Sequence, residues 1–74
     1  MARVNVFHPK ETERHSVHSE VEATFSTFSK GDSTYLQIDT YGSPDREFKG
    51  KISQSLQFGP EGIAALRDIL SQLP

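Results

Sequence analysis

Three histidines fall within the first 18 residues, and two of them have the spacing of a candidate metal site. His15 and His18, followed by Glu20, supply the imidazole and carboxylate groups that bind zinc or nickel. On an extended chain, however, residues three apart point to opposite sides. The chain has no cysteine, so thiolate ligands are absent as well. The pattern favours surface histidines, and we expect neither a metal ion nor any other cofactor.

A second candidate for chemistry is the segment 44–49, whose Asp45, Glu47 and Lys49 spell the PD…ExK pattern of metal-dependent nucleases. Such a site needs acidic groups from two neighbouring strands around a divalent cation. Asp45 and Glu47 are two residues apart in one turn, so they cannot approach a cation from two strands. No serine lies in a strand–turn–helix elbow, and 49–51 lacks the further glycines of a phosphate loop. We therefore expect that the protein is not an enzyme.

The composition limits the class of protein. The 74 residues include 8 Lys and Arg against 10 Asp and Glu, a net charge of −2, and 34% of them are hydrophobic. These values exclude a histone-like basic protein and the like-charge excess of a disordered acidic tail. No apolar run approaches the ~20 residues of a membrane span, and the start lacks a signal-peptide core. We expect a cytoplasmic protein with no membrane partner.

Alternating side chains predict the strands of a single domain, 1–74. Residues 1–19 hold an N-terminal strand over 3–7 and a polar loop, and 20–74 hold a β-hairpin, a third clear strand and a C-terminal helix. The hairpin runs from Glu20 through a turn at Lys30-Gly31-Asp32 to a strand over 33–41. The third clear strand covers 52–58. The side chains assigned to one side of these strands are Val21, Ala23, Phe25, Leu36, Ile38, Ile52, Leu56 and Phe58. Those of the third clear strand, Ile52, Leu56 and Phe58, are predicted to be buried.

A helix is predicted to begin at Gly59-Pro60-Glu61, because proline fits the first helical position and a carboxylate suits the positive end of the helix dipole. An apolar stripe follows at helical spacing: Ile63, Leu66, Ile69, Leu70 and Leu73. We therefore predict an α+β fold, a four-stranded antiparallel sheet followed by one C-terminal helix (β-β-β-β-α). A chain this short buries only about 60% of its unfolded surface, so we also expect a homodimer.

One helix can cover only one face of the sheet within a monomer, which leaves the other face open to a ligand. The outward side chains predicted for that face are hydroxyls, amides, carboxylates, a lysine and three aromatic rings: Glu22, Thr24, Ser26, Phe28, Tyr35, Gln37, Asp39, Tyr41, Lys51, Ser53, Ser55 and Gln57. Rings on an open sheet can stack on unpaired bases, and lysines and arginines at its rim can follow phosphates. The same composition is also typical of a solvated antiparallel face.

From Glu20 onward the chain resembles the transcriptional positive cofactor four family, including its small bacterial relatives. The stretches that carry the resemblance are Phe28-Ser29-Lys30-Gly31, Tyr35 to Tyr41, Ser43-Pro44-Asp45, Gly50-Lys51-Ile52-Ser53, and Pro60-Glu61 with Leu66 and Leu70. The resemblance implies a curved four-stranded sheet that binds single-stranded DNA and dimerises through its helices. Tyr41 matches an aromatic position of the family, and Lys30 and Lys51 match basic turn positions. Asp39 stands where relatives often place arginine.

Two functions remain open at this point. The first is a small dimeric protein that binds single-stranded DNA or RNA, as a regulator of transcription or of another DNA transaction. Its predicted nucleic-acid-binding residues are Phe28, Lys30, Tyr35, Gln37, Tyr41, Arg46, Lys49 and Lys51. The predicted dimer interface is the helix stripe, Ile63, Leu66, Ile69, Leu70 and Leu73. The alternative is a small protein–protein interaction or inhibitory module, which would use the polar sheet face of the same fold against another protein.

Overall fold

The computed structural model of the protein describes residues 1–11, 14–42 and 51–74. In chain order these residues form β1 (Ala2–Val4), β2 (Ala23–Lys30), β3 (Ser33–Tyr41), β4 (Ile52–Phe58) and α1 (Pro60–Ser71). The four strands make one sheet in the order β1-β4-β3-β2. The predicted α+β fold, a four-stranded sheet followed by one C-terminal helix, is confirmed. The nuclease-like segment at 44–49 lies outside the described residues.

The hairpin between β2 and β3 is the part of the sheet that follows most directly from the sequence. The two strands pair antiparallel from Ala23 opposite Thr40 to Lys30 opposite Ser33, which leaves a two-residue turn, Gly31-Asp32. Gly31 has a φ of 63°, and no residue other than glycine has a positive φ in the described chain. A positive φ at the first turn position only is the pattern of a type II′ turn, which matches the twist of the two strands.

The sheet is mixed: β2, β3 and β4 pair antiparallel, as predicted, whereas the pairing of β1 departs from the prediction. β4 pairs antiparallel with β3, with a register shift between Thr40 and Tyr41, but β1 pairs parallel with β4 along the sheet edge. The chain between β1 and β4 allows this, because it includes the whole β2–β3 hairpin and a parallel partner needs a long connection. β1 ends at Val4 instead of the predicted Phe7. Phe7 instead stacks on Phe58, with ring centroids 6.1 Å apart.

Side chains alternate between the two sides of the sheet, and directly opposed residues share a side. α1 lies against the side of Phe58, and we call this side the helix face. Its side chains are Val4, Phe25, Leu36, Ile38, Leu56 and Phe58. The opposite side, which α1 does not cover, is the open face. Its side chains are Arg3, Thr24, Ser26, Phe28, Tyr35, Gln37, Asp39, Tyr41, Ser55 and Gln57.

The closest contact of the helix with the sheet is made at Gly62. α1 begins as predicted, with Pro60 in its first turn and the Ile63 amide donating to the Gly59 carbonyl at 2.8 Å. Gly62 is buried, and a Cβ there would overlap the carbonyl oxygen of Val4 and press on Phe58. Glycine is therefore required at this position by the close approach of two backbones.

The helix face is only partly covered. Phe58 is 5% exposed and is the one buried large apolar side chain in the described part of the chain, whereas Phe25 is 79% and Leu56 43% exposed. Ile52 and Leu56, both predicted to be buried, are therefore exposed. The alternating pattern shows which residues share a side, but it does not show whether anything covers that side. α1 packs on β3 and β4, while Phe25 lies on the edge strand β2.

The helix stripe divides into two parts. Ile63 and Leu66, in the first half of α1, are half-buried against the sheet. The remaining members of the stripe, Ile69, Leu70 and Leu73, are exposed. A single copy of the chain therefore leaves the end of the helix and much of the helix face in contact with water.

Candidate nucleic-acid interface

The open face is organised in rows that cross the sheet. One row runs Arg3, Gln57, Gln37 and Ser26, one residue from each strand. The next row runs Ser55, Asp39 and Thr24. On the other side of the first row lie Tyr35 and Phe28, which are also direct partners. The open face thus places a ring pair beside a line of amides and hydroxyls.

Four of these side chains form a hydrogen-bond chain that we call the amide relay: Asp39, Ser55, Gln37 and Gln57. The Gln37 side-chain amide donates to both carboxylate oxygens of Asp39, at 3.0 and 3.2 Å, and the Ser55 hydroxyl donates to one of them. The Gln57 amide in turn donates to the Gln37 carbonyl oxygen at 2.8 Å.

The carboxylate sets the direction of the relay. An ionised carboxylate only accepts hydrogen bonds, so Gln37 must turn its NH₂ group toward Asp39. The carbonyl oxygen of Gln37 then faces Gln57, which must present its own NH₂ group. One acidic residue in β3 therefore orients two amides in two adjacent strands.

Asp39 and Ser55 were predicted to face outward, and they do lie on the open face, but they are buried. Asp39 is 8% and Ser55 6% exposed, since neighbouring side chains cover them. Across the described residues, each buried side-chain nitrogen or oxygen has a hydrogen-bond partner. Three donor contacts to one carboxylate compensate for its loss of water, because hydrogen bonds to charged groups are the stronger ones. The negative charge of Asp39 is thereby held below the surface.

The ring pair consists of two of the predicted binding residues. Phe28 and Tyr35 stack with centroids 5.3 Å apart and an angle of 15° between their planes. Phe28 is 41% exposed and Tyr35 is half-buried. The structure therefore brings these two rings together on the uncovered side of the sheet.

Tyr41 lies apart from the ring pair. It is six residues beyond Tyr35 along β3, which corresponds to about 20 Å in a strand. Its hydroxyl is 3.1 Å from the Thr24 hydroxyl, and its backbone amide donates to the Glu22 carbonyl. The relay lies between the two tyrosines. The three predicted aromatic residues therefore occupy two places on the open face.

The lysines and the arginine predicted to bind nucleic acid are not all at one place either. Lys30 is exposed at the end of β2, beside the hairpin turn and on the side of Tyr35. Lys51 is exposed immediately before β4, on the side of Tyr41. Arg46 and Lys49 lie outside the described residues. The described lysines thus flank the open face at its two ends.

Sequence reasoning missed Arg3. It extends from β1 opposite Gln57, and with Gln37 and Ser55 it lines a cavity of about 280 Å³ on the open face. The spacing Gln37-x-Asp39 and Ser55-x-Gln57 placed both pairs on one side of adjacent strands and was a signal for the relay. No comparable signal pointed to Arg3, because nothing in the sequence predicted that β1 would pair with β4.

No group of three or more His, Asp or Glu residues in the described ranges is placed to hold a metal ion. In the described part of the chain, no helix has the length and hydropathy needed to cross a membrane. Comparison of the chain with protein-family models, with curated proteins and with solved structures found no match. The resemblance to the positive cofactor four family therefore stays a prediction from the residues quoted for it.

Proposed function

We propose that the protein is a small dimeric single-stranded nucleic-acid-binding protein that regulates transcription or another DNA transaction. The nucleic acid binds on the open face, centred on Phe28 and Tyr35. Two copies associate through their helix faces and the exposed part of the helix stripe, Ile69, Leu70 and Leu73. The protein acts by binding and not as an enzyme. The observation that carries the proposal is the stacked ring pair on a sheet face that α1 leaves uncovered.

The ring pair supports binding of unpaired bases. A base stacked on an aromatic side chain contributes about 1–3 kcal/mol whatever its identity, because every base has a π-face. Lys30 lies at the end of the strand that carries Phe28, two residues away. A lysine beside a stacking surface is suited to contact the phosphate that links two stacked bases.

Burial of Asp39 also supports this function. An exposed carboxylate in the middle of the face would repel phosphates, since affinity for nucleic acid depends largely on neutralising them. Here the carboxylate is covered by Gln37 and Ser55. Glu22 is exposed near Tyr41. The end of the open face with Tyr35 is therefore the more favourable place for a strand.

Dimerisation is supported by the apolar side chains that a single chain leaves exposed on the helix face and in the second half of α1. Phe25, Leu56 and Leu70 are all exposed in the single chain, whereas stable small domains bury such side chains. Burying one leucine or phenylalanine contributes about 1.5–3 kcal/mol. A second copy placed on the helix face would cover these side chains and leave both open faces accessible.

The test is fluorescence anisotropy with labelled oligo-dT at two salt concentrations. We expect salt-sensitive binding, and we expect Tyr35→Ala or Phe28→Ala to weaken it by about 1–3 kcal/mol through loss of a stacking surface. Tyr35→Phe keeps the ring and serves as the matched control, with affinity unchanged. If neither alanine variant changes the affinity, the ring pair is not the binding site.

Absence of oligo-dT binding at low salt would favour the alternative, a protein–protein interaction module. One observation supports this second candidate: β2 is an edge strand whose eight residues are all exposed. An edge of this kind can pair with an extended segment of another protein through backbone hydrogen bonds.

A further inference from the structure

The cavity beside the ring pair has a lining with a definite arrangement of donors and acceptors. It measures about 280 Å³ and is lined by Met1, Ala2, Arg3, Gln37, Ser55 and Gln57. This volume is near the lower limit of ~300 Å³ for small-molecule pockets. The cavity therefore suits a compact planar group, such as one nucleobase, better than a larger ligand.

Arg3 is the donor side of the cavity. Its guanidinium carries five N–H groups in a planar fork. Within the described residues, the Arg3 side chain makes no hydrogen bond, ion pair or ring contact. It is exposed, and it lies directly opposite Gln57 on the open face. The fork is therefore available to a ligand that has two neighbouring acceptor atoms.

The acceptor side of the cavity is set by the amide relay. Gln57 turns its NH₂ group toward Gln37, so its carbonyl oxygen Oε1 is left without a partner in the relay. The Ser55 proton is donated to Asp39, so the hydroxyl oxygen offers only lone pairs to the cavity. Asp39 thus determines, through Gln37, that a carbonyl oxygen accompanies the guanidinium.

Among the bases, guanine and cytosine fit this arrangement, because each has two adjacent acceptors beside a donor. In guanine, N7 and O6 can bind an arginine fork together, and N1–H beside O6 can donate to a carbonyl oxygen. In cytosine, O2 and N3 are adjacent acceptors, and the N4 amino group beside N3 can donate to the same carbonyl oxygen. Adenine has an amino group beside N7, and thymine has N3–H between its two carbonyl oxygens, so neither offers two adjacent acceptors.

We propose that Arg3 and Gln57 select guanine or cytosine over adenine and thymine at one position of a single strand bound on the open face. This inference rests on the proposed function, because it assigns a base preference to the same surface. Stacking on Phe28 and Tyr35 contributes affinity for any sequence, while the cavity distinguishes bases that have two adjacent acceptors from those that do not.

The test compares labelled oligo-dT with the same oligonucleotide carrying one central guanine, adenine or cytosine, by anisotropy. A single substitution avoids the structures that guanine-rich strands form. We expect the guanine and cytosine oligonucleotides to bind about tenfold more tightly than oligo-dT and the adenine oligonucleotide, the usual scale for one bidentate arginine contact. Arg3→Lys keeps the charge but removes the fork, so we expect it to retain oligo-dT binding and to lose this base preference. Arg67→Gln, on the exposed side of α1, is the control, with the preference unchanged.

Each other outcome is decisive. Equal affinity for all four oligonucleotides overturns the inference and leaves the proposed function in place. A preference for guanine and cytosine that survives in Arg3→Lys, with the fold verified by circular dichroism, assigns the preference to another residue and also overturns it. Failure of the wild-type protein to bind any of the four overturns the proposed function and the inference together.

Discussion

The two faces of the sheet differ in how far a single chain satisfies them: the open face by hydrogen bonds, the helix face by burial of apolar side chains. On the open face, Asp39 and Ser55 are buried, and their hydrogen bonds are satisfied by Gln37 and by each other. On the helix face, Phe25 and Leu56 remain exposed although they are apolar. In most small domains the apolar side is the better covered one. In a single chain, the buried polar groups of the open face therefore have their hydrogen bonds, whereas the apolar side chains of the helix face are only partly covered.

This difference supports the roles proposed for the two surfaces. Hydrogen bonds between directly opposed side chains can be made within a single sheet, so the open face needs no second layer. Apolar side chains gain only when another surface covers them, and a helix of 12 residues covers part of a four-stranded sheet. The arrangement favours a second copy on the helix face and a ligand on the open face.

The largest effect on dimerisation is expected from a charge in the exposed part of the helix stripe. We expect Leu70→Glu to abolish the proposed dimer, raising its dissociation constant at least about a thousandfold, because both copies lose a buried leucine. Leu70 is 56% exposed in the single chain, so the fold of each copy should persist. Sedimentation equilibrium measures the effect. Gln72→Glu adds the same charge at an exposed position outside the stripe and should leave the dimer intact; a Leu70→Glu protein that sediments as a dimer contradicts the proposal.

A second variant tests how α1 is held on the helix face. We expect Gly62→Ala to lower the free energy of unfolding by about 3 kcal/mol, the upper end of the range for overpacking, because the added methyl group meets the Val4 backbone. Urea denaturation measures this loss. At Ala64, which is exposed on the same helix, Ala64→Ser adds an atom without a contact and should change stability by less than about 0.5 kcal/mol. Equal losses of unfolding free energy at the two positions would show that the close approach of the backbones at Gly62 does not determine how α1 is held.

The smallest effect is expected on the open face. In Asp39→Asn, Ser55 and Gln37 can both still donate to the remaining side-chain oxygen, but the second contact of Gln37 is replaced by an unfavourable approach of two NH₂ groups. We expect a loss of about 1 kcal/mol in unfolding free energy, the usual scale for one hydrogen bond. Asp32→Asn, in the exposed hairpin turn, is the control and should be neutral. If the Asp39 variant is as stable as the wild type in urea, the relay does not hold the open face together.

Local sequence patterns predicted most of the elements. The turn at Gly31, the strand from Ser33 to Tyr41, the strand from Ile52 to Phe58 and the helix from Pro60 all lie where alternation and end signals placed them. These features depend on interactions between near neighbours in the chain. β2 begins at Ala23 and not at Glu20, because the pattern does not record where the partner strand stops.

Features that depend on distant contacts were less predictable. The alternation of β2 placed Phe25 on one side correctly, but its exposure depends on where α1 lies. For the candidate site, the pattern brought Phe28 and Tyr35 together, since the hairpin turn fixes their register. Arg3 was missed because a three-residue strand carries too few side chains to indicate its partner.

The parallel pairing of β1 with β4 has a consequence for the order in which the chain folds during synthesis. Ala2 pairs with Leu56, and the Val4 carbonyl lies against Gly62, so β1 has no partner until β4 and the start of α1 have left the ribosome. The meander of β2, β3 and β4 joins only sequential neighbours and can assemble earlier. β1 therefore docks after the three strands that follow it in the chain.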